Sequence, residues 1–272
     1  MSRIAATFRR LKDQQRKAVV PYLVAGDPAP GHTVAIMHGL VAAGADIVEL
    51  GVPFSDPMAE GPVIQQAHER ALEHGVSLRQ VLQMVSEFRR SDADTPVVLM
   101  GYTNPVEAMG YERFAESAAA SQIDGLLTVD LPPEEGGQLR DLLAARGIDT
   151  IMLLAPTTAP ERISAVCDNA SGYLYYVSLK GVTGAGHLDT DSVRDKMALI
   201  RQRTELPVTV GFGIKDAVSA KVVAGYCDGV VIGSAIVDSI AGEAARGAAS
   251  TQELIAPAVS LVESIRRAVD NV

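Results

Sequence analysis

Residues 48–65 read VELGVPFSDPMAEGPVIQ. Ala45, Ile47, Val48 and Leu50 form a short apolar run with strand character, Glu49 sits at its end, and Glu60 lies in the Gly/Pro-bounded loop that follows, with Asp56 between the two acids. Runs of the same kind recur on either side. Residues 18–25, 46–50, 96–100, 125–129, 149–154, 173–177, 207–210 and 229–232 read as strands, and helical patterns over 32–43, 78–90, 106–120, 134–146, 160–167, 191–203 and 216–224 alternate with them. Strand alternating with helix implies parallel pairing through right-handed crossovers. Eight near-equal units favour closure over an open doubly wound sheet, so the expected fold is α/β, a (β/α)8 TIM barrel.

The N-terminal stretch MSRIAATFRRLKDQQRK is basic, but Ile4, Phe8 and Leu11 recur at helical spacing and Asp13 interrupts the charge. It reads as an extra amphipathic helix covering one end of the barrel. No linker or low-complexity segment divides the chain, which is read as a single domain over 1–272; residues 241–250 (AGEAARGAAS) look like a flexible surface connection before a final helix.

With 272 residues, 47% hydrophobic, the chain can fill one large core. A net charge of −9 argues against nucleic acid or an anionic membrane surface as the main partner. Cys167 and Cys227 are isolated, without metal-ligand spacing, which suits reduced thiols and a cytoplasmic location. No apolar run approaches the roughly 18 residues of a membrane span.

Chemistry in a barrel belongs at the C-terminal ends of the strands. Glu49 ends the second run, Tyr102 follows the third and Asp130 the fourth; Tyr175 lies in the sixth. Glycine clusters follow runs six, seven and eight: residues 181–186 (GVTGAG), Gly211-Phe212-Gly213 and Gly233-Ser234. A carboxylate finishing a buried strand is costly to desolvate, which points to a raised pKa and proton transfer, and a second acid nearby lets the two divide acid and base work. Glycines let backbone N–H groups approach an anion, and Gly233-Ser234 opens a helix, so a phosphate ester is the expected ligand. Apart from a frayed edge, the strands carry no lysine for imine chemistry, and Lys180 and Lys215 lie in a loop and at a helix start. His32, His38, His68 and His74 fall on helical segments and His187 stands alone, so no metal cluster is indicated. No GxGxxG follows the first strand. Cofactor-free acid/base catalysis remains, a class that also contains sugar-phosphate isomerases and epimerases.

The run Glu49-Leu50-Gly51-Val52-Pro53-Phe54-Ser55-Asp56-Pro57-Met58-Ala59-Glu60-Gly61-Pro62, with Gly26-Asp27-Pro28, Gly181-Val182-Thr183-Gly184 and Gly211-Phe212-Gly213, resembles the tryptophan synthase alpha chain family, and the resemblance extends from the first helix to the last. It implies retro-aldol cleavage of indole-3-glycerol phosphate to indole and glyceraldehyde 3-phosphate, no cofactor in this chain, and an α2β2 complex with a beta chain that carries pyridoxal phosphate. Carried over residue by residue, it assigns Glu49, Glu60 and Tyr175 to catalysis. Tyr22, Met100, Leu127, Val129 and Leu153 line the indole slot, and Thr183 lies in a loop expected to fold over substrate. Gly184, Gly211, Phe212, Gly213, Gly233 and Ser234 hold the phosphate, while Pro53, Asp56, Pro57, Asn104, Pro105, Asp130 and Pro132 face the partner. The family most often has aspartate where this chain has Glu60. That departure raises a second reading, a catalytically weak chain acting mainly as a binding activator of its partner.

Overall fold

A computed structural model describes residues 1–178, 190–211 and 213–272. Eight short strands run through it: β1 (Ala18–Val24), β2 (Val48–Gly51), β3 (Val97–Gly101), β4 (Gly125–Thr128), β5 (Asp149–Leu154), β6 (Leu174–Val177), β7 (Val208–Gly211) and β8 (Gly229–Ile232). Each pairs in parallel with its neighbour in sequence, and β8 returns to β1, so the sheet closes into a barrel. Both faces are covered, which is why these strands read as nearly unbroken apolar runs rather than alternating ones. The register sets Tyr22 opposite Glu49, Leu153 opposite Tyr175, and Tyr175 opposite Thr209. With side chains alternating along each strand, Tyr22, Glu49, Met100, Leu127, Leu153, Tyr173 and Tyr175 share the interior face.

Helices α1 (Arg3–Asp13), α2 (Thr33–Ala42), α3 (Pro62–Glu73), α4 (Leu78–Phe88), α5 (Thr103–Met109), α6 (Tyr111–Ala120), α7 (Gly137–Ala144), α8 (Pro160–Asn169), α9 (Thr190–Arg201), α10 (Ala217–Ala224), α11 (Ser234–Ala245) and α12 (Thr251–Val269) surround the strands. Helix α12 packs on α10, α11 and α2 and completes the ring. Helix α1 plugs the end where the strands begin. Ser2 caps it, accepting from the Ala5 N–H and donating to Asp149 at 2.7 Å, and Ile4, Phe8 and Leu11 turn inward. The Phe8 ring reaches Tyr173 inside the barrel, with ring centroids 5.7 Å apart.

The expected single helix over 106–120 is two helices. Gly110 breaks it with φ of 88°, a left-handed conformation, while the apolar positions Val106, Phe114, Ala115 and Ala118 continue the period across the break. Residues 241–245, read as flexible connection, are the last turn of α11, because alanine is the best helix former and the chain turns only at Gly247. Helix α3 was not among the expected helices. None of the helices among the described residues is long and apolar enough to cross a membrane.

Three aspartates tie the strand-start end together in the same way. Asp46, Asp124 and Asp228 each precede a strand, and each donates its N–H to, and accepts through its carboxylate the N–H of, a valine in the neighbouring strand: Val19, Val97 and Val208 respectively. An arginine from a surrounding helix or its terminus neutralises each one: Arg266 on Asp46 at 2.7 Å, Arg89 on Asp124 at 2.5 Å, and Arg201 on Asp228. Asp124 is also met by Arg3 at 2.9 Å, which fastens α1. The Arg89 and Asp124 side chains are only 2% and 5% exposed, so removing one partner strands a buried charge. Asp124→Ala is expected to lower unfolding stability by about 3–5 kcal/mol in urea titrations, against less than about 1 kcal/mol for the exposed pair partner Arg162→Ala.

Candidate active site

Glu49 occupies the second position of β2 and points into the barrel, wholly excluded from solvent. The Tyr173 hydroxyl donates to its Oε1 at 2.6 Å, and its Oε2 has no hydrogen-bond partner among the described residues. Burial pushes the carboxyl up to about 8; the Tyr173 hydrogen bond opposes this and the nearby Glu60 charge reinforces it. Glu49 therefore holds its proton at neutral pH.

Glu60 ends the loop from β2 to α3. Far from being a solvated loop acid, it is 6% exposed, and burial alone lifts it to about 7. Its side chain makes no hydrogen bond among the described residues, so the loop backbone places it. The loop is held at several points: the Phe54 N–H donates to His68 Nδ1 at 3.0 Å, the Ala59 N–H donates to the Tyr102 hydroxyl at 3.0 Å, and Gln65 Nε2 donates to the Glu60 carbonyl at 2.9 Å. The Phe54 ring stacks on Tyr102 with centroids 5.1 Å apart.

Tyr22 and Tyr175 face the two acids. Burial and then the carboxylate charges raise both phenols well above their ordinary value, so both remain protonated donors. Each phenol occupies space that only glycine leaves free: a Cβ at Gly51 would overlap the Tyr22 hydroxyl, and one at Gly211 the Tyr175 hydroxyl. The structure thus brings together Glu49, Glu60, Tyr22 and Tyr175, with Tyr102 behind the loop. Met100 and Leu127 are buried on the same interior face, and Val129 and Leu153 line a cleft of about 330 Å³ that also takes in Asp130 and Pro132.

Gly211 closes β7, Gly213 follows with φ of 79°, and Gly233 precedes α11, whose first residue is Ser234 and whose N-terminus has no side-chain cap. Gly233 lies against the Tyr22 ring, about 3.5 Å from the point a Cβ would occupy. Thr183, Gly184 and Phe212, with Lys180 and His187, lie outside the described residues. Of the surface positions, Asp56 and Asn104 are exposed, Pro57, Pro105 and Pro132 half-buried and Pro53 buried; Asp130 is exposed and accepts from the Thr103 N–H and hydroxyl at 2.7 and 2.8 Å. Sequence reasoning missed Tyr173 and His68. Tyr173 was signalled by its two-residue spacing from Tyr175, which puts both on one strand face; His68 carried no signal beyond helical position.

The sequence pattern of the tryptophan synthase alpha chain family matches residues 8–266. The chain belongs to that family. Tryptophan synthase alpha chains of Marinobacter nauticus and Chromobacterium violaceum are 61% and 57% identical to it, over 89% and 98% of this chain and 89% and 100% of theirs. The crystal structure of the tryptophan synthase alpha subunit from Legionella pneumophila superposes with a TM-score of 0.91 at 43% identity, covering 100% of both chains. As a member of the family it is a carbon–carbon lyase of tryptophan biosynthesis that cleaves indole-3-glycerol phosphate to indole and glyceraldehyde 3-phosphate. It needs no cofactor of its own; pyridoxal phosphate belongs to the beta chain with which the family forms complexes.

The raised acids impose a pH dependence with a fixed sign. Unfolded, the Glu49 carboxyl ionises near its model value of 4.5, whereas folded it keeps its proton to about 8, so between these pH values the folded state binds more protons and stability falls as pH rises. Glu49→Gln removes this share: its stability relative to wild type should grow by a few kcal/mol, to order of magnitude, between pH 5 and pH 9 in urea unfolding. Tyr173→Phe deletes the hydrogen bond that, among the described residues, favours the ionised form, and is expected to move the Glu49 titration, followed by carboxyl NMR, above about 8.

Proposed function

We propose that Glu49 and Glu60 divide the proton transfers of the retro-aldol reaction. Glu49, protonated, delivers its proton to indole C3 while Glu60, ionised, takes the proton from the indole nitrogen, which gives the indolenine tautomer. Glu49, now ionised, then accepts the proton of the side-chain hydroxyl on the carbon bonded to C3. The carbonyl of glyceraldehyde 3-phosphate forms as the bond to C3 breaks, its electrons return through the ring to nitrogen, and Glu60 gives back its proton. Both acids finish as they started. The observation that carries this reading is the buried pair itself, two acids shut off from solvent and close enough for one to act on the other's titration, with one carboxyl raised to about 8 and the other to about 7. Tyr175 assists as a hydroxyl donor beside both.

In the same reading, Tyr22, Met100, Leu127, Val129 and Leu153 contact the indole. Gly211, Gly213, Gly233 and Ser234, with Gly184 and Phe212, hold the phosphate, which suits the uncapped N-terminus of α11. Thr183 belongs to the loop that covers substrate. Pro53, Asp56, Pro57, Asn104, Pro105, Asp130 and Pro132 form the beta-chain docking face, and the protein works in the cytoplasm as a single domain within an α2β2 assembly.

The reactive form needs Glu49 protonated and Glu60 ionised, so kcat/KM for indole release is expected to be bell-shaped, with an acid limb near 7 from Glu60 and an alkaline limb near 8 from Glu49. Indole release from indole-3-glycerol phosphate should rise when a beta chain is added and fall by about 10² or more in Glu49→Gln. Undiminished release by that variant overturns the assignment of Glu49. No release by the wild type, with beta-chain binding intact, would instead favour a chain that acts as a binding activator.

A further inference from the structure

We propose that His68 is a positioning residue for the reaction: its neutral imidazole fastens the loop that carries Glu60, and thereby sets where and in what surroundings that carboxylate acts. The inference rests on the role of Glu60 given above. His68 lies on the inward face of α3, beside Ile64, Ala67 and Ala71, and is 2% exposed. Its Nδ1 accepts the Phe54 N–H, so the ring hydrogen is on Nε2, which is buried with no partner among the described residues. A helix interior would ordinarily place an aliphatic side chain here. An imidazole with one nitrogen engaged and the other unsatisfied among the described residues is retained against a desolvation penalty, and the engaged nitrogen identifies what it supplies: an acceptor for a part-buried loop amide.

The consequence passes through Phe54. With its amide held by α3, the Phe54 ring lies on Tyr102, and Tyr102 in turn accepts the Ala59 N–H, one residue before Glu60. The loop is thus gripped near both ends, by His68 at the β2 side and Tyr102 at the α3 side. The Glu60 carboxylate has no hydrogen bond of its own among the described residues, so its location follows from the loop backbone, which these two grips hold together with the Gln65 bond to the Glu60 carbonyl and the turn bond from the Glu60 N–H to the Pro57 carbonyl. The groups facing it are Tyr22, Glu49, Tyr102 and Tyr175, and no cation among the described residues contributes to its titration. Its dry surroundings therefore depend on the loop staying in place. His68 is well suited to hold it: burial lowers its pKa to about 4, which keeps the acceptor nitrogen free of a proton across the working pH range.

The test compares His68→Leu, which removes the acceptor, with His68→Asn, whose side-chain oxygen can take the place of Nδ1, and with Glu60→Gln. In His68→Leu, amide hydrogen exchange at Phe54 should accelerate about tenfold or more, the change expected for one lost hydrogen bond. The acid limb of kcat/KM should move down from near 7 by about one pH unit or more as water reaches Glu60, and kcat should fall by roughly tenfold or more with KM changed much less. His68→Asn should restore both slow exchange and the acid limb. A folded His68→Leu with wild-type exchange at Phe54 and an unmoved acid limb overturns the proposal. If His68→Leu does not fold, His68→Asn decides: folded with slow exchange and the wild-type limb it supports the clamp, and folded with neither it refutes it. If Glu60→Gln keeps wild-type rate and acid limb, the role of Glu60 has failed instead, and the Phe54 exchange rates still judge the clamp.

Discussion

The hydrogen bond from Tyr173 to the buried carboxyl of Glu49 is the contact on which the interior depends. A carboxylate with no solvent access would be driven to ionise only at great cost, and a single phenol donor is too little to reverse that. The result is a group that rests as an acid. Tyr173 is itself held from below, because the Phe8 ring on α1 packs against it. Helix α1 therefore does more than cover the end of the barrel: its apolar face fixes the ring whose hydroxyl orients the acid. Sequence, plug, strand and proton donor form one chain of support.

The barrel treats its acids oppositely at its two ends. Where the strands begin, Asp46, Asp124 and Asp228 each meet a backbone N–H and a guanidinium and bind strand to strand, although burial still raises the Asp46 carboxyl. Toward the ends of the strands, Glu49 and Glu60 face phenols and each other, with no cation among the described residues beside them, and within that set burial acts on them opposed only by Tyr173. Residues of the same chemical class thus do structural work at one end and are left reactive at the other, which is the division expected of a barrel with its site at the C-terminal face. Holding Glu49 in a dry interior costs stability progressively as pH rises from about 4.5 to about 8.

What the sequence made legible follows from what each signal measures. Strand positions were readable because a doubly covered strand must be apolar throughout, and α1 because its stripe of Ile4, Phe8 and Leu11 is unambiguous. Glu49 stood out as a charge inside an apolar run. The break at Gly110 was hidden because apolar periodicity ran straight through it, and residues 241–245 were misread because Ala and Gly suggest flexibility while Ala favours helix. The reciprocal bonds of the three aspartates and the grip of His68 on Phe54 were not readable at all: in each the partners are apart in sequence and meet only through the closure of the sheet or the turn of a helix back over its own loop.

Glu60 joins these points. The extra methylene, relative to an aspartate at this position, carries the carboxylate roughly 1 Å further from the loop backbone, a distance that matters for proton transfer. Had the carboxylate been locked by partners of its own, lengthening it would have broken a fixed geometry. Instead its position comes from backbone amides fastened by His68 and Tyr102, while the side chain itself makes no hydrogen bond among the described residues. A longer side chain then changes its reach without forfeiting an interaction, and its surroundings still hold it near neutrality. The same arrangement explains why the loop needs several anchors: a carboxylate left free for the indole nitrogen cannot also help hold the segment that bears it.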